Sequence, residues 1–238
     1  MPTELIYMQN AEQLELSTQV LEVMGKTSVM LKQTIFYPQG GGQPFDQGVI
    51  SGQNGKFRVD EVRNIDGIVQ HIGLLSGEMA AGEMVICQVN AERRALHSRI
   101  HAAGHVLDMA VEKLGYGWVP GKGYHFPDGP YVEYTGDFST LDTERARQAI
   151  EAGCAELVAA NLPVRVQFMD RTEMEKVLAH VPEYLPSNRP SRVVFMGERG
   201  IPCGGTHVKS LGEIGKIGIR KLKVKDGNLR VSYEVLSI

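Results

Sequence analysis

Cysteine is scarce in this sequence: Cys87, Cys154 and Cys203 are the three among 238 residues. Three scattered thiols exclude a disulfide framework and make a reducing compartment, the cytoplasm, the expectation. No apolar run approaches the roughly 18 residues that a membrane-spanning helix needs. The start, Met1-Pro2-Thr3-Glu4, lacks the charged and then apolar pattern of a secretory leader. One-sided charge is missing too, since 25 Lys and Arg stand against 28 Asp and Glu. Neither an internal repeat nor a low-complexity tract is present. A Gly-x-Ser-x-Gly elbow and a Walker loop are also absent, so serine-hydrolase and P-loop chemistry have no support. What is present is an ordinary globular balance, 42% hydrophobic and 22% charged, on a chain long enough to bury a core as one large or two small domains.

The elements change character along the chain. Residues 19–23, 28–31, 56–62 and 85–89 are short, rich in β-branched residues and partly alternating, with glycines between them. That pattern predicts a small β-barrel. Residues 91–114 then read as one helix, with Ile100, Leu107, Ala110, Val111 and Leu114 at helical spacing and Gly115 as a stop. A second helix is expected over 142–161, capped by Asp142 or Thr140, and a third over 170–180. Strands return at 164–168 and 192–196, and a hairpin closes the chain, 217–224 and 229–236 joined through Asp226-Gly227-Asn228. The expected class is α+β: a barrel-like domain over 1–90 and an α+β domain over 91–238.

Charge is uneven. From Arg189 onward ten Lys and Arg meet four Asp and Glu, whereas the preceding residues carry 15 and 24. A basic end fits a nucleic-acid footprint, and it equally fits a strand edge kept soluble by lysine.

Three motifs carry chemistry. His101 and His105 lie four apart on the expected first helix, where both rings can reach one ion. Histidines at this spacing also occur as surface or core residues, and His97 stands four before His101. All three cannot share one ion, because eight residues of helix rise by about 12 Å. Pro202-Cys203-Gly204-Gly205-Thr206-His207 pairs a thiol with an imidazole on a glycine-rich loop. Cys203 alone would pass for a buried small hydrophobe, but two such pairs make a mixed nitrogen and sulfur set suited to zinc. Cys87 and Cys154 are expected in the core. The third motif, Thr34-Ile35-Phe36-Tyr37-Pro38-Gln39-Gly40-Gly41-Gly42-Gln43, marks either a required backbone shape or a tight barrel turn.

Together, in this order, the three motifs resemble the editing domain of alanyl-tRNA synthetase and its free-standing relatives, the alanyl-tRNA editing proteins of the medium-length AlaX class. The resemblance covers essentially the whole chain and includes Arg192-Val193-Val194 and Gly212-Glu213-Ile214-Gly215. It implies a trans-editing deacylase that hydrolyses seryl-tRNA charged on the alanine tRNA, with the glycyl form as a second substrate, and spares alanyl-tRNA. It implies one Zn2+ on His101, His105, Cys203 and His207; Val106-Leu107 after the second histidine fixes that register against His97. Thr34 and Gln43 match the residues associated with amino-acid discrimination. Ala102 and Leu211 depart from the hydroxyl residues common at their positions. Lys221, Lys223 and Lys225 are the expected tRNA phosphate contacts, with Arg93, Arg94 and Arg99 as further candidates. Four protein ligands suit a structural zinc, so a non-catalytic zinc-stabilised RNA-binding module is the competing expectation.

Overall fold

The computed structural model describes residues 2–178 and 181–236, which divide into two compact units, Met1–Leu96 and His97–Ile238. The first unit contains β1 (Glu4–Leu5), β2 (Glu15–Met24), β3 (Ser28–Leu31), β4 (Gln33–Thr34), β5 (Gly48–Ser51), β6 (Gly55–Ile65), β7 (Ile68–Gly77) and β8 (Met84–Val89). Six of these close a barrel in the order β2-β3-β7-β6-β5-β8, while β1 and β4 pair in parallel. Alternation explains the interior: β8 turns Val85, Cys87 and Val89 inward and its other three residues out. In β6 the phase slips at a bulge between Val59 and Glu61, so Phe57, Val59 and Val62 all point inward.

The boundary between the units falls within helix α1 (Ala91–Lys113), whose start is capped by Asn90 Oδ1 accepting the Arg93 N–H at 3.0 Å. The second unit continues with β9 (Val119–Tyr124), β10 (Tyr131–Thr135), α2 (Thr143–Ala159), β11 (Val164–Met169), α3 (Arg171–Val177), β12 (Ser191–Met196), β13 (Arg199–Pro202), β14 (Lys216–Lys225) and β15 (Asn228–Leu236). Asp142 caps α2, as one of the two expected caps, by accepting the Arg145 N–H. One sheet runs β14-β15-β10-β9 and another β11-β12-β13. Ile100, Leu107 and Val111 of α1 and Ile150 of α2 join Val132, Leu229, Val231 and Tyr233 in one core. Each such fully buried side chain contributes about 1.5–3 kcal/mol.

The third helix is shorter than expected. It starts from a capping box between Asp170 and Glu173 and ends at Leu178, whose backbone is extended; residues 179 and 180 lie outside the described residues. The structure adds β9, β10 and β13 to the expected strands: β10 is built of the strand formers Tyr131, Val132, Tyr134 and Thr135, whereas β9 and β13 contain proline and glycine. β9 contains Pro120 and Gly121 and survives as a sheet edge, the position proline tolerates. Among the described residues no helix is long and apolar enough to cross a membrane.

Candidate metal centre

Helix α1 places His101 and His105 one turn apart, ring centroids 5.0 Å from each other. The loop after β13 carries Cys203 and His207 to the same place. One ligand atom from each of the four residues falls within 4.8 Å of every other. Cys203 Sγ stands 3.5 Å from His101 Nε2 and 3.6 Å from His207 Nε2. A tetrahedral ion with sulfur at about 2.3 Å and nitrogen at about 2.0–2.1 Å separates those donors by about 3.6 Å. The spacing therefore matches an ion at the centre. His105 Nε2 is buried with no hydrogen-bond partner among the described residues, and a metal would supply one.

The electrostatics agree. Burial, then the neighbouring histidines and Arg192, hold His101 well below the ordinary imidazole range, and burial holds His105 at about 3. His207 is likewise depressed by burial first. All three are neutral near pH 7, the form that offers a lone pair. Burial raises the Cys203 thiol, opposed by the Gly205 N–H at 3.4 Å and by Arg192. Metal binding would release that thiol proton. Arg192, 5% exposed, also donates to the Cys203 carbonyl at 2.6 Å and the Gly205 carbonyl at 2.9 Å, which fixes the loop. His97 is buried but lies outside the four-residue group.

A fourth histidine, His125, packs against the three of the cluster. His125 stacks on His101 with centroids 4.5 Å apart and planes 18° from parallel. It fits because Gly104 and Gly123 leave it room: a Cβ on either would come within 2.5 Å or 2.4 Å of the ring. Tyr233 gives its hydroxyl proton to the Ile100 carbonyl at 2.9 Å, so it accepts from His125 Nδ1–H at 2.7 Å. That network fixes the tautomer and leaves Nε2 as the lone-pair nitrogen. No spacing rule links residue 125 to residue 101, so only the tertiary contact reveals it.

Thr34 and Gln43 both belong to the first unit and both are fully buried. His71 Nδ1–H must donate to the Val29 carbonyl at 3.0 Å, so its Nε2 accepts the Thr34 hydroxyl proton at 2.8 Å. Thr34 Oγ1 in turn accepts the Phe36 N–H at 3.0 Å. The threonine hydroxyl is thus spent as a donor and keeps one acceptor site. The glycine-rich motif makes a turn in which Gly40 and Gln43 exchange backbone hydrogen bonds, with Gly41 and Gly42 at φ of 53° and 77°. Bulkier residues rarely adopt that region, which accounts for the consecutive glycines.

Of the basic candidates, Lys221, Lys223 and Lys225 are exposed on β14. Arg94 is not available to a phosphate: it is 3% exposed and ion-paired with Asp46, and it also donates to the Ile35 carbonyl at 2.6 Å. A buried carboxylate needs its cation, which overrides any surface role. Arg99 spends its donors on the Ile214 and Leu236 carbonyls. Arg93 is half-buried and donates to the Phe45 carbonyl at 3.0 Å.

Comparison with known proteins follows the same division. Residues 3–93 match the family described as tRNA synthetases class II (A). Residues 191–232 match the threonyl and alanyl tRNA synthetase second additional domain. An alanine–tRNA ligase of Archaeoglobus fulgidus is 31% identical over 97% of this chain and 26% of its own length. That of Methanothrix thermoacetophila is 34% identical over 87% of this chain and 23% of its own. The alanyl-tRNA editing protein AlaX-L of Pyrococcus horikoshii is 31% identical over 95% of this chain and 56% of its own length. The chain therefore spans about a quarter of these ligases and just over half of AlaX-L. Over nearly its whole length the chain is similar both to alanine–tRNA ligases and to an alanyl-tRNA editing protein.

Proposed function

We propose that this chain is a cytoplasmic aminoacyl-tRNA deacylase that hydrolyses the seryl ester of the alanine tRNA and spares the alanyl ester. The observation that carries this reading is the closure of the His-x3-His helix on the Cys-x3-His loop, in a chain similar over 95% of its length to an alanyl-tRNA editing protein. His101, His105, Cys203 and His207 would hold one Zn2+, which when bound supplies a Lewis acid beside the ester. The substrate ester is already activated, so no covalent nucleophile is required; a water oxygen adds to the carbonyl carbon and the ribose oxygen leaves with a proton. Positioning supplies much of the acceleration in such a step. Arg192 contributes by holding the Cys203 loop in one geometry.

Discrimination is assigned to Thr34 and Gln43 on their motif position. Thr34 is fully buried and gives its proton to His71, so a substrate hydroxyl reaches it only where the surrounding packing opens, and there it must be the donor. Alanine has no such donor, and a site built around a substrate hydroxyl can reject its lack by up to about 10⁴–10⁵. Lys221, Lys223 and Lys225 are assigned to tRNA phosphates.

A second reading, a zinc-stabilised RNA-binding module without catalysis, draws on the same four donors, since four protein ligands close a zinc site. Purified protein mixed with seryl-tRNA and alanyl-tRNA separates the two. Serine release with the alanyl ester retained supports the deacylase; release from neither supports the binding module.

A further inference from the structure

The outer face of the four-stranded sheet is built differently from its lysine count. Tyr124, Tyr131, Ser232 and Lys221 stand in one row across β9, β10, β15 and β14. Glu133, Arg230 and Lys223 form the row beside it. The opposite face carries the buried Val132, Tyr134, Val231 and Leu222, so the two rows point away from the core. On this outer face the rings form a continuous ladder. Phe126 stacks on Tyr124 at 4.5 Å and 11°, and Tyr124 on Tyr131 at 5.3 Å and 18°. The Arg230 guanidinium lies 3.9 Å from the Tyr131 ring centroid, and Glu133 holds it there with a 2.7 Å ion pair.

A structural explanation covers only part of this. Cross-strand aromatic pairs stabilise sheets by about 0.2–1 kcal/mol each, but an interior ladder would be buried. These rings are half-exposed, and the ladder ends in a planar cation whose side chain is 36% exposed. Lys223 stands directly across from that cation on β14, with Lys221 two residues away. Lysine alone makes a phosphate-binding surface, without base contacts. A guanidinium plane already stacked on tyrosine adds what lysine lacks, a flat surface that takes an unpaired base.

We propose that this face binds an unpaired segment of RNA. One base extends the ladder on the side of Arg230 away from Tyr131, and its flanking phosphates meet Lys221 and Lys223. The inference deepens the reading of the chain as an RNA-acting protein and rests on it for the choice of RNA over other polyanions. A duplex cannot engage in this way, because its bases are already stacked. Tyr124 and His125 are consecutive and belong to opposite faces, so one edge strand separates this platform from the histidine cluster.

The test is a binding titration of the full chain with a fluorescent single-stranded oligoribonucleotide, and with a duplex RNA, at several salt concentrations. Arg230→Lys keeps the charge and removes the plane. It should weaken single-strand binding roughly tenfold, the scale of one lost base stack, with the salt slope unchanged. Tyr131→Leu, which removes the plate behind Arg230, should act in the same direction, and Tyr131→Trp should bind like the parent. Lys221→Ala/Lys223→Ala should instead reduce the salt slope by about 1.4, two phosphate contacts on a single strand. Duplex binding should not respond to Arg230→Lys. Melting curves of each variant identify any loss that is merely unfolding, and Arg230→Lys then decides alone. Parent-like single-strand binding by Arg230→Lys overturns the platform, as does binding of an acidic protein in preference to RNA. Ester hydrolysis is scored separately: a platform that behaves as described in a protein releasing no serine overturns the deacylase reading alone.

Discussion

Replacing Thr34 by valine nearly preserves shape and deletes one hydroxyl, and the surroundings set the cost. Two groups lose their partner, the Phe36 N–H and His71 Nε2, and both lie in the barrel interior. His71 cannot repair the loss by changing tautomer, because a proton moved to Nε2 would leave Nδ1 facing the Val29 carbonyl without one. An unsatisfied buried group costs about 1–3 kcal/mol, so two cost about 2–6 kcal/mol. Thr34→Ser keeps both hydrogen bonds and loses a methyl group, about 1 kcal/mol. At about 4–8 °C per kcal/mol for a unit of this size, Thr34→Val should lower the barrel's melting temperature by at least about 8 °C, and Thr34→Ser by about half that or less. Calorimetry on the two variants measures the difference. Hydrogen exchange of the Phe36 amide should accelerate in the valine variant alone. Equal stability of the valine and serine variants would refute the bridging hydroxyl and, with it, the acceptor-only role given to Thr34.

The same barrel should be acid-sensitive through His71. Burial lowers its pKa to about 4 in the folded protein, below the usual imidazole value of about 6.5. Its contribution is therefore fully present above about pH 6.5 and is lost as pH falls toward 4, with a slope of up to about 1.4 kcal/mol per pH unit. Denaturant titrations should show that slope, and His71→Phe should flatten it. Arg94→Met should cost about 3–5 kcal/mol by urea unfolding, because Asp46 would remain buried without its cation. Metal analysis of His105→Ala and Cys203→Ala should show loss of bound zinc, whereas His97→Ala should keep it. Full metal content in both of the first two would remove the proposed ligand set.

Parts of this molecule announce themselves locally and parts do not. Helix α1 was legible because Ile100, Leu107, Ala110 and Val111 repeat at helical spacing. The last hairpin was legible because Asp226-Gly227 is a turn dipeptide between two alternating runs. The four-residue cluster could be read as two pairs, each at a spacing of four, and the structure brings the pairs together. His71 and His125 could not be read at all. Each is a lone histidine in an extended stretch, and its partners, Thr34 and Tyr233, lie 37 and 108 residues away. Arg94 misled for the opposite reason: beside Arg93 it looks like a surface basic pair, and only its distant partner Asp46 shows it to be buried. Strand β9 escaped because Pro120, Gly121 and Gly123 carry no strand preference, and its pairing with β10 alone makes it a strand.

The most direct measurement of the deacylase reading is the single-turnover rate of ester hydrolysis on seryl-tRNA and alanyl-tRNA of the alanine acceptor, before and after chelation. The zinc-loaded protein should release serine at least about 100-fold faster than alanine, within the range a hydroxyl-reading site achieves, and chelation should abolish the release until zinc is restored. Equal rates on the two esters, or serine release that chelation leaves untouched, would contradict it.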